Sequence, residues 1–427
     1  MKPAVSRLVT PIVTSPARRD LMRRLRALQR GLLRKTPTVH YFHQADDPYS
    51  HLVVQLLTPL KARYGVAIRP WLVSSPDDSA APERERLNTY GLRDAPRVAK
   101  EYGLEFPIDA VRPSPAALEA AQSALAAAMI GSDFAVLAKA IGDSLWSGRT
   151  AKSGPPIGTA TVDGALKEGK AERRRLGHYL GAMLYFEGEW YWGVDRLNHL
   201  EERLRDMGLD STPNAPALAA YRDMSLAPPP PGSPVEIEIW FSFRSPYSWI
   251  AFPRVRRLAR HYGARLRLRY ILPMVMRGLP VPPVKTMYIT LDTKREADRV
   301  GLPYGTIVDP VGPGAERCLA VLHHAVGLGR GEDFSELGMK AAFADGIDLA
   351  SDTGLFGVAR AAGLTDDQTR AALADESWRE AAEDNRQALF DAGLWGAPTY
   401  RVNGGPAHWG QDRLWALEQD IRRAMGG

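Results

Sequence analysis

The chain has 427 residues, 45% of them hydrophobic and 24% charged. At roughly 100–200 residues per domain this suggests two to four domains, and it excludes disordered, collagen-like and disulfide-scaffold classes. The formal net charge is +6, but residues 1–35 alone carry ten Lys/Arg against one acid, Asp20, so the remainder is net acidic. A basic balance confined to one end argues against a nucleic-acid-binding fold, where cations line a domain face.

No run of 18 or more apolar residues predicts a membrane-spanning helix. The single cysteine, Cys318, can form neither an intramolecular disulfide nor a CxxC pair. The start shows no secretory pattern, so a cytoplasmic location is expected.

Residues 17–35 predict a basic amphipathic helix, with Leu21, Leu25, Leu28 and Leu32 at helical spacing. Two readings stand. The leucines pack on the folded body with the arginines solvated, or the helix attaches to an anionic membrane surface or an acidic partner. Pro228 to Pro231, Gly232, Ser233 and Pro234 form an extended linker. The expected organisation is a tail over 1–35, a domain over 36–225, a linker over 226–234 and a domain over 235–427.

The two domains repeat each other. Asp47-Pro48-Tyr49-Ser50 matches Ser245-Pro246-Tyr247-Ser248. Tyr90, Asp94 and Arg97 match Tyr288, Asp292 and Arg295, and Asp133-Phe134 matches Asp333-Phe334. Trp192-Gly193-Val194-Asp195-Arg196-Leu197 matches Trp409-Gly410-Gln411-Asp412-Arg413-Leu414. The spacing grows toward the end, which places a shortening of the first copy in its 145–180 region.

In the second copy, Val235 to Trp240 alternates as a half-buried strand. A helix runs from Pro246 to about His261, and Arg265 to Tyr270 is a strand. Helices are predicted over 291–300, 314–328, 333–345, 352–363, 366–374 and 377–393, with Lys285 left in a loop. Pro398 to Asn403 and His408-Trp409 form a hairpin across Gly404-Gly405. A final helix begins at Asp412.

Ser245 before Pro246 is a good N-cap followed by a good first helical residue, and capping alone explains both. The same junction also favours anions, and a hydroxyl there can donate to a bound thiolate. Pro398 is a candidate cis proline. Lys285, taken alone, is an ordinary solvated lysine.

Three segments then carry a resemblance: Phe243 to Trp249, Lys285 to Asp292 with Arg295 and Ala297, and Gly396 to Thr399 with Trp409 to Leu414. The second half resembles the DsbA-like thioredoxin superfamily, and most the cysteine-free branch of kappa-class glutathione transferases and 2-hydroxychromene-2-carboxylate isomerases. The resemblance implies an α/β chain of two tandem thioredoxin-like domains, each a small mixed sheet with an inserted helical subdomain.

It implies glutathione as cofactor and a small electrophile as substrate. Ser245 would face the thiol and Lys285 would lie at the same site. Ala397 and Pro398 would pair with the cysteinyl part, and Gln411 and Asp412 would hold the γ-glutamyl end. Asp412 also suits a helix start in its own right.

The first copy departs from this pattern. Asp47 replaces the serine, Leu87 the lysine, and Met183 is taken to stand at Pro398. It reads as a degenerate copy, with an unrelated site of Asp46, Asp47 and His51 as the alternative. No metal site is expected: His40 and His43 fall on opposite faces of a strand, and His323 and His324 diverge on a helix. Cys318 reads as core.

The leading expectation is a glutathione-dependent isomerase or transferase with one active half; a fused repeat also allows, without requiring, a pseudo-dimer of the two halves. The alternatives are a non-catalytic scaffold, or an oxidoreductase by ancestry only.

Overall fold

The computed structural model describes residues 3–78, 81–129, 133–148 and 159–427. It is an α/β structure that divides into two compact units, Met1–Arg19 with Arg222–Gly427, and Asp20–Tyr221. The basic tail is therefore shared between the units and is not a segment of its own. Residues 149–158, part of the region where the first copy is expected to be shortened, lie outside the described residues.

In chain order the elements begin with α1 (Pro3–Val13), α2 (Pro16–Leu32), β1 (Thr38–Gln44), α3 (Pro48–Tyr64) and β2 (Ala67–Val73). The helices α4 (Arg84–Tyr102), α5 (Pro115–Ala128), α6 (Phe134–Trp146) and α7 (Thr159–Leu176) follow. Then come β3 (Met183–Phe186), β4 (Glu189–Trp192) and α8 (Leu197–Asp206).

The second set is β5 (Glu236–Phe241), α9 (Pro246–Tyr262), β6 (Arg265–Tyr270) and α10 (Pro283–Arg299). It continues with α11 (Pro313–Gly327), α12 (Gly331–Lys340), α13 (Asp352–Ala361), α14 (Asp366–Ala374) and α15 (Trp378–Asp391). It closes with β7 (Thr399–Val402), β8 (His408–Trp409) and α16 (Leu414–Ala424).

Each unit holds a four-stranded mixed sheet, in the order β2-β1-β3-β4 and β6-β5-β7-β8. Orientation is the same in both: β1 and β5 pair parallel to the next strand and antiparallel to β3 and β7. The parallel pair requires a crossover, which α3 and α9 supply. α9 carries Trp249, Ile250, Phe252, Val255 and Leu258 into the core. Each such side chain contributes about 1.5–3 kcal/mol when fully buried.

Two buried polar contacts recur besides the sheets. Tyr64 donates to Glu201, whose carboxylate accepts from the Leu218 and Ala219 amides. Tyr262 donates to Glu418, whose carboxylate accepts from the Ser225 and Ala227 amides. The second set clamps the chain just before the prolines, and Arg422 donates to the Pro228 carbonyl at 2.8 Å. The proline stretch is thus anchored at its start.

The expected half-buried β5 is corrected. Glu238 is buried, accepting from Arg269 and Arg401. Trp240, on the same face, is covered and donates to the Asn385 carbonyl at 2.7 Å. α15 closes this face, so Glu238 marks a buried, paired acid and not a solvent-facing position.

Candidate functional site

Ser245 ends the turn after β5 in an extended conformation, and Pro246 opens α9. Its Oγ accepts from the Ser248 amide at 3.2 Å, the expected cap. The same hydroxyl donates to the Ala397 carbonyl at 3.1 Å. A serine hydroxyl has one proton, so this bond uses its only donor. The first turn of α9 carries no acid, leaving the helix terminus favourable to an anion.

Ala397–Pro398 is a cis peptide. The Pro398 carbonyl accepts from the Gly410 amide at 2.9 Å, which ties the β7 start to the turn that carries Gln411 and Asp412. Ser245, Ala397, Pro398 and that turn are therefore linked by consecutive hydrogen bonds. Gln411 is buried: its carbonyl accepts from Arg254 at 2.7 Å, and its amide donates to Glu296 at 2.8 Å and to Asp412. Its side chain positions Asp412, which is half-buried.

Lys285 lies in the first turn of α10, not in a loop. The run Pro282-Pro283 supplies the fixed backbone angles of a helix start, a signal that a loop assignment overlooks. Burial lowers its ammonium to about 8. α10 is fixed to α9 by Tyr247, whose hydroxyl donates to Asp292 at 2.8 Å. Arg295 donates to the other Asp292 oxygen at 2.7 Å.

Sequence reasoning also missed three supports. Arg244 forms a two-pronged pair with Asp309 at 2.8 and 2.9 Å. Arg277 donates to the Trp395 carbonyl at 3.1 Å. Trp395 and Trp409 pack with ring centroids 5.0 Å apart. A Cβ on Gly396 would lie 2.6 Å from the Trp409 ring nitrogen, so any larger residue there forces the indole to shift. The adjacency of Arg244 to Ser245 was the only available signal, since the partners are distant in sequence.

In the other unit, Asp47 caps α3. It accepts from the Tyr49 amide at 3.1 Å and the Ser50 hydroxyl at 2.9 Å. Burial pushes this carboxyl up to about 7, against those two bonds. The strand registers correct the expected position of Met183. Phe42 pairs with Met183, and its repeat partner Trp240 pairs with Thr399. The Gly193 amide donates to Ala182 at 2.9 Å, as Gly410 does to Pro398. Ala182 therefore stands at Pro398 and Gly181 at Ala397.

A cleft of about 230 Å³ is lined by Asp47, Leu87, Gly181 and Trp192, among others. These match Ser245, Lys285, Ala397 and Trp409. Asp46 accepts from Gln44 and Ser75, whereas His51 lies 3.2 Å from Asp143, so the alternative trio does not share partners. Cys318 is fully buried, which pushes its thiol up and removes it from chemistry.

Comparison with known proteins bears on the C-terminal half. Residues 236–422 match the DSBA-like thioredoxin domain family, and the C-terminal half carries a domain of that kind. Curated relatives are named 2-hydroxychromene-2-carboxylate isomerase. The protein from Pseudomonas sp. (strain C18) is 25% identical over 45% of this chain and 91% of its own length. That from Pseudomonas putida is 26% identical over 44% and 94%. A solved isomerase of that name is similar at 23% identity with a TM-score of 0.38, covering 44% of this chain and 95% of its own.

Proposed function

We propose that the C-terminal unit binds glutathione and that the protein is a glutathione-dependent isomerase or transferase for a small electrophile. The observation that carries this reading is the Ser245 hydroxyl, held at the N-terminus of α9 and donating to the Ala397 carbonyl. Two groups that a cysteinyl residue needs are adjacent there: a donor for sulfur and a backbone acceptor for an amide. The relatives' shared isomerase name supports the reaction class.

Bound glutathione would supply a thiolate nucleophile, dividing one difficult step into two easier ones. The chain's own groups would do the rest. Ser245 would turn its proton from Ala397 to the sulfur, and Ala397 would accept a ligand amide instead. One internal bond would be exchanged for two ligand bonds, one of them charge-assisted and worth roughly 1.5–3 kcal/mol. Asp412, oriented by Gln411, would receive the α-ammonium. Lys285 would hold a proton near the anion, and its position matches Leu87 on the wall of the N-terminal cleft. Exposed Val275, Met287, Leu291 and Val311 would give the electrophile apolar surface.

We read the N-terminal unit as a second DsbA-like copy that retains the sheet and cleft and has lost the thiol site. Asp47 at the helix cap supports this, because its carboxyl takes up the Tyr49 amide and the Ser50 hydroxyl and its ionised form opposes a thiolate.

Calorimetric titration with glutathione tests the proposal. One saturable site, weakened at least tenfold by Asp412→Ala, is expected. An absence of binding at millimolar glutathione would overturn it.

A further inference from the structure

The two N-terminal helices are oriented against the usual rule for amphipathic helices. α2 meets its unit through Arg23, Ala27 and Arg30. Arg23 grips Glu189 at 2.6 and 2.8 Å, and Arg30 pairs with Glu187. At 100° per residue, Leu21, Leu25, Leu28 and Leu32 fall on the opposite face. All four are exposed, Leu28 by 64% and Leu32 by 85%. Arg18, Arg24 and Arg26, with Arg34 and Lys35 just beyond, are exposed as well.

α1 shows the same inversion on its own unit. Ser6 donates to the Ile307 carbonyl at 2.6 Å, Thr10 accepts from the Ile307 amide at 2.9 Å, and Arg7 donates to Gly346 at 2.6 Å. Leu8 and Ile12 point away, 72% and 63% exposed.

We propose that α2 is a docking helix for an anionic lipid surface. A convex aliphatic stripe with cations alongside suits a helix lying in the plane of the headgroups. Among the described residues no helix is long and apolar enough to cross a membrane, which fits surface attachment. A second copy is a poor occupant. Joining two such stripes would bring the arginines of both chains together, and like charges oppose association. Anionic headgroups instead meet the exposed Arg18, Arg24, Arg26, Arg34 and Lys35 with opposite charge.

The test is flotation of the full-length protein with phosphatidylcholine vesicles, with and without a third of phosphatidylglycerol. Binding to the anionic vesicles is expected, reduced at least tenfold on neutral ones and by high salt. Leu25→Glu with Leu28→Glu should abolish it. Arg24→Ala with Arg26→Ala, which favours the helix, should weaken it by about fivefold per charge. Failure to bind anionic vesicles would overturn the proposal. So would undiminished binding by both variants, or a solution dimer that the glutamate variant dissolves. None of these outcomes depends on glutathione.

Discussion

The Tyr247 hydroxyl donates to Asp292 at 2.8 Å, and this bond fixes the helix that carries Lys285 to the helix that carries Ser245. The other unit has the same bond, from Tyr49 to Asp94 at 2.8 Å. Asp292 is buried and also holds Arg295. Asp292→Ala should destabilise the C-terminal unit by about 3–5 kcal/mol, because it removes one side of a buried ion pair. Tyr247→Phe should cost only about 1 kcal/mol. Urea melts followed by circular dichroism measure both; equal effects would show that the ion pair contributes nothing.

Ser245→Ala removes a cap and a donor together. The cap should cost about 1 kcal/mol of stability. Loss of the donor should raise the thiol pKa of bound glutathione by about 1–2 units, since one unit is 1.36 kcal/mol. Ultraviolet absorbance of the thiolate against pH reads this directly. An unchanged titration would leave Ser245 as a cap alone.

Lys285 should set the alkaline limb of the pH profile. Its ammonium is lowered to about 8 by burial, so the charged form is lost as pH rises through that value. Thiolate formation rises with pH in the opposite sense. A bell-shaped kcat/KM is therefore expected. Lys285→Arg should move the alkaline limb outward by keeping the cation, and Lys285→Met should remove it. A profile that ignores both substitutions would place Lys285 outside the chemistry.

Asp47 should make the N-terminal unit less stable as pH rises. Its folded pKa of about 7 lies above the ordinary aspartate value, so the folded state holds the extra proton. The stability it contributes is full below about 4 and is lost as pH rises through 7. Asp47→Asn keeps a good cap and should flatten that dependence. Melting temperatures at intervals between pH 4 and 8 check the slope.

Gly396→Ala should disturb the tryptophan pair beside the site. The added methyl would lie 2.6 Å from the Trp409 ring. Overpacking of this kind costs about 1–3 kcal/mol, and tryptophan fluorescence should change with it. An unaltered spectrum and melt would mean that the indole moves aside freely.

The elements were legible wherever the signal is local. The β5 alternation, the Ser245 cap with Pro246, the helices between 313 and 391, and the hairpin at 404–405 rest on spacings of a few residues. The matching motifs of the two halves were legible because they keep the same side chains in the same order. The Tyr64–Glu201 and Tyr262–Glu418 pairs escaped because each joins residues too far apart for a pattern to register.

What the sequence determined by itself was therefore most of the local elements of the C-terminal half and the motifs that the two halves share in order. Tertiary structure alone decided that Ala182, not Met183, occupies the position of Pro398, because strand register is set by pairing with a distant partner. It also decided that Gln411 is enclosed by Arg254 and Glu296, and that α2 turns its leucines outward. Periodicity shows that a helix has two unlike faces. Which face is covered depends on the partner, and here Glu187 and Glu189 select the arginines.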